Sequence, residues 1–196
     1  MLPEQIGYVS IVLGIAGAYP YIKNTLSGET KPNKVGWFIW ALAPMIGAFL
    51  QFKSGATLSA LPILMEGMLS LSIFFSSFIN KNAYWKITIL DIICGTLSIF
   101  ALVLWVITRE SSISTLFVIL ADLLAGLPIL IKSWKYPETE TGSAYSYALL
   151  SNIIGLFIIK NWIFSIYSIG VYFVIMNLFI TLGIYHKKVL YFIYEK

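Results

Sequence analysis

Long apolar runs alternate with short polar breaks along the whole chain. Seven runs stand out, at about residues 6–24, 35–51, 57–79, 86–107, 113–133, 143–159 and 163–185. A run of ~20 apolar residues covers the ~30 Å hydrocarbon core of a bilayer as a helix. In lipid the backbone must satisfy its own hydrogen bonds, so each run is predicted to be a transmembrane helix. No basic residue precedes the first run and no small-residue cleavage site follows it, so it is expected to stay as a span. Seven spans of ~20 residues use about 140 of the 196 positions and leave no room for a soluble domain.

Composition sharpens this reading. Hydrophobic residues make up 59% of the chain and charged residues 11%, with mean hydropathy +0.85. A water-soluble domain carries about 25% charged residues, so an ordinary soluble globule and a disordered chain are both excluded. One cysteine (Cys94) excludes a disulfide framework and a cysteine-rich metal site, and the one histidine, His186, lies in the tail. Zinc, serine–histidine and bis-histidine haem chemistry therefore lack their raw material, and no cofactor or metal is expected. The net charge of +4 comes from lysines placed between apolar runs, which is a topology signal and not a nucleic-acid footprint. Lys23, Lys31, Lys34, Lys81, Lys86, Lys132, Lys135, Lys187, Lys188 and Lys196 fall on one side, against Lys53, Arg109 and Lys160 on the other. The positive-inside rule then puts the N-terminus outside and the C-terminus in the cytoplasm. The tail, His186–Lys196, with Leu190, Tyr191, Phe192 and Tyr194, reads as a short interfacial anchor.

Helices 1 and 5 and the loops after them look alike. At an offset of 108, Pro20 falls on Pro128, Gly47 on Gly155 and Phe49 on Phe157. Each proline precedes a basic loop and then an aromatic-rich helix, opened by Trp37, Phe38 and Trp40 in one case and Tyr145 and Tyr147 in the other. Two copies of a three-helix unit run parallel only if one further helix separates them, and helix 4 is that helix. The predicted fold is an all-α membrane protein of seven helices, a 3+1+3 parallel repeat. Its parts are a first bundle (1–84), linker helix 4 (85–110), a second bundle (111–185) and a cytoplasmic tail (186–196).

With those residues in view, the chain resembles the PQ-loop and SWEET superfamily of small seven-helix transporters, whose bundles each carry a proline near the cytoplasmic end of their first helix. The family's Pro-Gln dipeptide reads Pro20-Tyr21 in the first copy and Pro128-Ile129 in the second. The strings Gly28-Glu29-Thr30-Lys31-Pro32, Trp37-Phe38-Ile39-Trp40, Asp122 through Pro128, Lys132-Ser133 and Pro137 are similar to a bacterial group of seven-helix proteins of unassigned role. That resemblance implies a bacterial inner (plasma) membrane protein.

The candidate chemistry rests on acids inside apolar runs, each costing about 2.5–3.5 kcal/mol at mid-helix on the insertion scale. Asp122, six residues before Pro128, is the first candidate for proton coupling, with a structural aspartate bonded to a hydroxyl of helix 6 or 7 as the alternative. The resemblance adds that some proton-coupled PQ-loop transporters carry an aspartate in this helix. Glu66 lies at a similar expected depth, near the midplane, and precedes Gly67, so ligand contact and structural pairing both stay open. Asp91 reads as a snorkelling acid or a partner of Lys86. Asn177 of helix 7 matches the family's ligand-contacting asparagine; Asn152 of helix 6 falls opposite Pro44 in the repeat, and either amide also suits a simple interhelical bond. Trp37 and Trp40 share a helix face and read as an interfacial belt or as a stacking platform, with Tyr147 as a further binding candidate. Trp85, Trp105, Trp134 and Trp162 read as belt. Pro20 and Pro128 are hinge candidates, with a static kink as the alternative, and residues 135–141, with Glu138 and Glu140, are expected to form a solvated cytoplasmic turn.

These features point to a small-molecule transporter working by alternating access, with proton coupling through Asp122 as one form of it. A membrane receptor of the same fold that binds without transporting is the alternative. The expected partners are a small-molecule substrate, protons and the lipid bilayer, with no nucleic acid, in a monomer or homo-oligomer. No nucleophile motif is present, so an enzyme is not expected.

Overall fold

The computed structural model describes residues 3–108 and 110–194, with side chains described through Lys187. The predicted positions of Arg109, Lys188 and the tail side chains Leu190, Tyr191, Phe192, Tyr194 and Lys196 therefore lie outside the described side chains. The described residues form seven α-helices: α1 (Gly7–Ser27), α2 (Lys34–Lys53), α3 (Leu61–Ser76), α4 (Ile89–Ile107), α5 (Ser111–Lys135), α6 (Gly142–Phe157) and α7 (Phe164–Tyr194). Among the described residues there is no strand. Six of the seven are long and apolar enough to cross a membrane, and the chain is a multi-pass helical membrane protein by length and composition. The exception is α6: at 16 residues it is ~24 Å long, short of a full hydrocarbon core.

Local chemistry sets the helix ends. Gly28 adopts φ +88 after α1, a left-handed position glycine tolerates, while the Glu29 N–H returns to the Asn24 carbonyl at 2.9 Å. The Asn33 side chain caps α2 by accepting from the Gly36 N–H at 3.2 Å. Thr88 and Asp91 form a reciprocal capping box that starts α4 at Ile89, so the run predicted from 86 begins as extended chain. Glu110 caps α5 by accepting from the N–H groups of Ser112 (2.9 Å) and Ile113 (2.6 Å). The apolar run from 57 opens with a 3-10 turn (Leu58–Ala60), with Pro62 near the start of α3. The helix predicted to end at 185 runs on to Tyr194, because Tyr185-His186-Lys187-Lys188 contains neither proline nor glycine to stop it.

The packing has a simple order. α3 lies against both α1 and α2, and α7 lies against both α5 and α6. Across the centre, α1 packs along α6 and α2 along α5, while α4 sits outside, mainly against α5. Small residues allow the close crossings. A Cβ on Gly17 of α1 would meet Tyr147 Cβ at 2.8 Å and the Ser143 carbonyl at 3.0 Å; one on Gly36 of α2 would meet the Ala125 carbonyl of α5 at 3.1 Å. The outer faces carry the apolar residues a bilayer requires, with Ile92, Ile93, Phe100 and Val106 of α4 all exposed.

Candidate functional site

Two clusters of buried polar side chains bear on function. The central cluster is built on Glu66 of α3. Asn152 of α6 donates its Nδ2 to Glu66 Oε2 at 2.7 Å, and Asn177 of α7 donates its Nδ2 to Oε1 at 2.9 Å. Each amide also donates one turn back along its own helix, to the Ala148 and Phe173 carbonyls. Both NH2 groups are thereby spent, and Asn152 Oδ1 is buried without a partner. Asp122 of α5 is 2% exposed. Its Oδ1 accepts from the Tyr172 hydroxyl of α7 at 2.9 Å, its Oδ2 has no partner, and its backbone carbonyl accepts from Trp40 Nε1 at 3.1 Å. The helix-7 hydroxyl expected for a structural aspartate is thus present and occupies one of the two oxygens.

Two adjoining spaces meet at these residues. One, of about 50 Å³ open to water, is lined among others by Trp37, Trp40, Glu66, Tyr145, Asn152 and Asn177. That is room for roughly three or four waters. The other, of about 10 Å³, holds on the order of one water and is lined by Trp40, Pro44, Glu66, Ser70, Asp122, Phe173, Met176 and Asn177. The structure therefore brings Glu66 and Asp122 to one space, with Asn177 and Trp40 between the two cavities. Among the described residues none that lines either space is basic. Trp37 and Trp40 are 4% and 8% exposed and stack edge to face at 5.4 Å, so they are cavity wall and not interfacial belt. Tyr147 is turned outward, 37% exposed and packed on Gly17, and Tyr145 takes the cavity position instead.

The second cluster lies at the lysine-rich end, and sequence reasoning missed it. Glu140, expected in a solvated turn, has a fully buried side chain. Its Oε1 pairs with Lys132 Nζ at 2.6 Å. Its Oε2 accepts from the hydroxyls of Tyr21 and Tyr145, each at 2.9 Å. Trp37 Nε1 donates to the Tyr21 hydroxyl at 3.1 Å. Lys132 Nζ also donates to the Lys31 carbonyl at 2.5 Å and sits 4.6 Å over the Trp85 ring. This knot ties α1, α2, α5, α6 and three loops together directly beyond the aromatic wall of the larger cavity. The only hint in the sequence was Lys132, which falls inside the apolar run ending at 133 and not after it.

Other expectations are relocated. Asp91 is 2% exposed and accepts from Asn33 Nδ2 at 2.5 Å, besides capping α4; it neither snorkels nor pairs with Lys86. Pro20 and Pro128 lie inside helices that continue past them, as does Pro44 in α2. Trp85 faces Lys132 and Tyr136, Trp134 stacks on His186 at 5.0 Å, Trp162 stacks on Tyr167, and Trp105 packs against the core. Among the described residues no group of three or more histidine, cysteine or acidic side chains is placed to hold a metal ion. No protein-family model matches the chain, and no curated protein or solved structure matches it.

Proposed function

We propose that this chain is a small-molecule transporter that works by alternating access around the Glu66–Asn152–Asn177 site, in a PQ-loop-like 3+1+3 architecture. The observation that carries the reading is the site itself: an uncompensated acidic cavity at the seam between the two halves, closed towards the lysine-rich end by a polar knot. Buried carboxyl groups with no cation beside them are costly in a membrane, which favours a role beyond packing.

The repeat is supported by how equivalent positions pack. At the offset of 108, the cap Asn33 corresponds to Thr141, which precedes α6, and Trp37 to Tyr145, both of which reach the Tyr21–Glu140 knot. The crossing of Gly36 with Ala125 corresponds to that of Ala144 with Gly17. Gly47 lies against Ile169 of α7, and its counterpart Gly155 lies against Pro62 of α3. The first bundle is then α1–α3, the second α5–α7, and α4 the linker. Rocking of one bundle on the other would part the knot at its links between the bundles, Tyr21 to Glu140 and Lys132 to the Lys31 carbonyl, with Pro20 and Pro128 nearby as flexible points. Asp122, whose second oxygen is free, is the residue we assign to proton coupling. The lysine distribution favours the cytoplasmic side for the knot, and the resemblance favours a bacterial inner membrane.

The receptor reading uses the same cavity and differs only in flux. Proteoliposomes loaded with a mixture of amines, sugars, amino acids and nucleosides separate the two. Loss of one solute class, absent from empty liposomes and from the Glu66→Gln protein, is the result expected of a transporter. Retention of every class by correctly inserted protein would make the chain a binding protein.

A further inference from the structure

The cavity also carries information about its occupant. Two buried acceptors on residues that line the two spaces have no partner, Asp122 Oδ2 and Asn152 Oδ1. The amide and indole donors are already spent, since both asparagine NH2 groups go to Glu66 and to backbone carbonyls, and Trp40 Nε1 goes to the Asp122 carbonyl; the Ser70 hydroxyl, which lines both spaces, can give or accept one bond. Two carboxyl groups lie here, and no basic side chain lines the spaces. One wall is aromatic, formed by Trp37, Trp40 and Tyr145 with centroids 5.4–6.3 Å apart. A neutral polyol would bring as many acceptors as donors, and an anion would meet two carboxyls. A ligand that is positive and rich in N–H groups satisfies the orphan acceptors, balances the acids and gains from the indole faces.

We infer that the site binds a small protonated amine, its ammonium group held among Glu66, Asp122 and Asn152 and its short apolar body against Trp37, Trp40 and Tyr145. The water-sized spaces set the scale: an alkylammonium of a few carbons fits with slight opening, and a disaccharide does not. This inference rests on the transporter reading only for its direction of use; the binding itself is independent of flux.

The test uses the full chain, purified in detergent, with n-propylammonium chloride as probe. Its controls are butan-1-ol (neutral), sodium butyrate (anionic) and sodium chloride at equal ionic strength. Thermal stability and the fluorescence of the wall tryptophans are read together. The expected result is a saturable response to propylammonium alone. Affinity falls about ten-fold or more in Glu66→Gln, where one charge-assisted contact is lost, and persists in Glu66→Asp, which keeps the charge and guards against misfolding. An equal response to butanol or butyrate overturns the inference. So does a response to sodium chloride alone, which would mean an inorganic cation. Loss of a neutral solute from the loaded proteoliposomes, without any amine binding, refutes the amine and leaves the transporter standing. Amine binding with full retention of every solute upholds the amine and refutes the transporter.

Discussion

Glu140 and Lys132 show how much a single pair of side chains decides. Removing one partner of a buried pair leaves an uncompensated charge, a loss of about 3–5 kcal/mol. Glu140→Gln and Lys132→Met are each expected to lower the thermal midpoint in detergent sharply. The double variant Lys132→Met/Glu140→Gln is expected to recover most of the loss, and a double variant as unstable as the sum of the singles would remove the pair from the account. Glu110 offers a pH prediction outside the membrane. Hydrogen bonds from the Ser112 and Ile113 N–H groups hold its carboxyl below the ordinary carboxylate range. A depressed carboxyl contributes cap stability in full above its unfolded value and loses it as pH falls through the folded value. Protection of the Ser112 and Ile113 amides, measured relative to their intrinsic exchange at each pH, should therefore fall in acid, and Glu110→Ala should abolish that fall. At this scale the sequence was partly legible. Glu66, Asp122, Asn152 and Asn177 announced themselves as polar groups in apolar runs. Glu140 did not, because its burial depends on a loop folding back over α1, and no local pattern reports that.

The seven helices were readable because apolar runs of that length have one solution in lipid. Their ends were less so: Thr88 and Asp91 start α4 three residues late through side-chain hydrogen bonding, and α7 overruns the apolar stretch for want of a stop signal. Contacts between helices depend on small residues whose role is visible only once the crossings are known. Gly17→Ala places a Cβ at 2.8 Å from Tyr147 Cβ and 3.0 Å from the Ser143 carbonyl, neither of which yields cheaply. It is expected to cost about 1–3 kcal/mol by pushing α1 off α6, read as a lower thermal midpoint. A neutral Gly17→Ala would mean that the α1–α6 crossing is looser than described. Pro20→Ala restores a backbone donor inside a helix that already continues past it. Its expected signature is preserved or raised stability together with slower solute loss from proteoliposomes. Unchanged flux would remove Pro20 as a hinge.

For the whole molecule, Glu66, Asp122, Asn152 and Asn177 come together where α3, α5, α6 and α7 converge, and under the proposed function relative motion of the two bundles would change access to them from either end. Order among the helices was the least legible level. That α3 sits between α1 and α2, and α7 between α5 and α6, follows from no single run of residues. The proposed parallel repeat was arguable from Pro20 and Pro128, and the paired crossings Gly36–Ala125 and Gly17–Ala144 are consistent with it. Access from both sides is the claim on which transport stands, and Ser70 reports it directly. Ser70 is 3% exposed and lines both central spaces. With Cys94→Ser removing the native thiol, Ser70→Cys protein in oriented vesicles is exposed to a membrane-impermeant maleimide from one side or the other. The account predicts labelling from each side, faster from the lysine-rich side when the Lys132–Glu140 knot is broken by Glu140→Gln. Labelling confined to one face under every condition, with the knot intact or broken, would contradict alternating access.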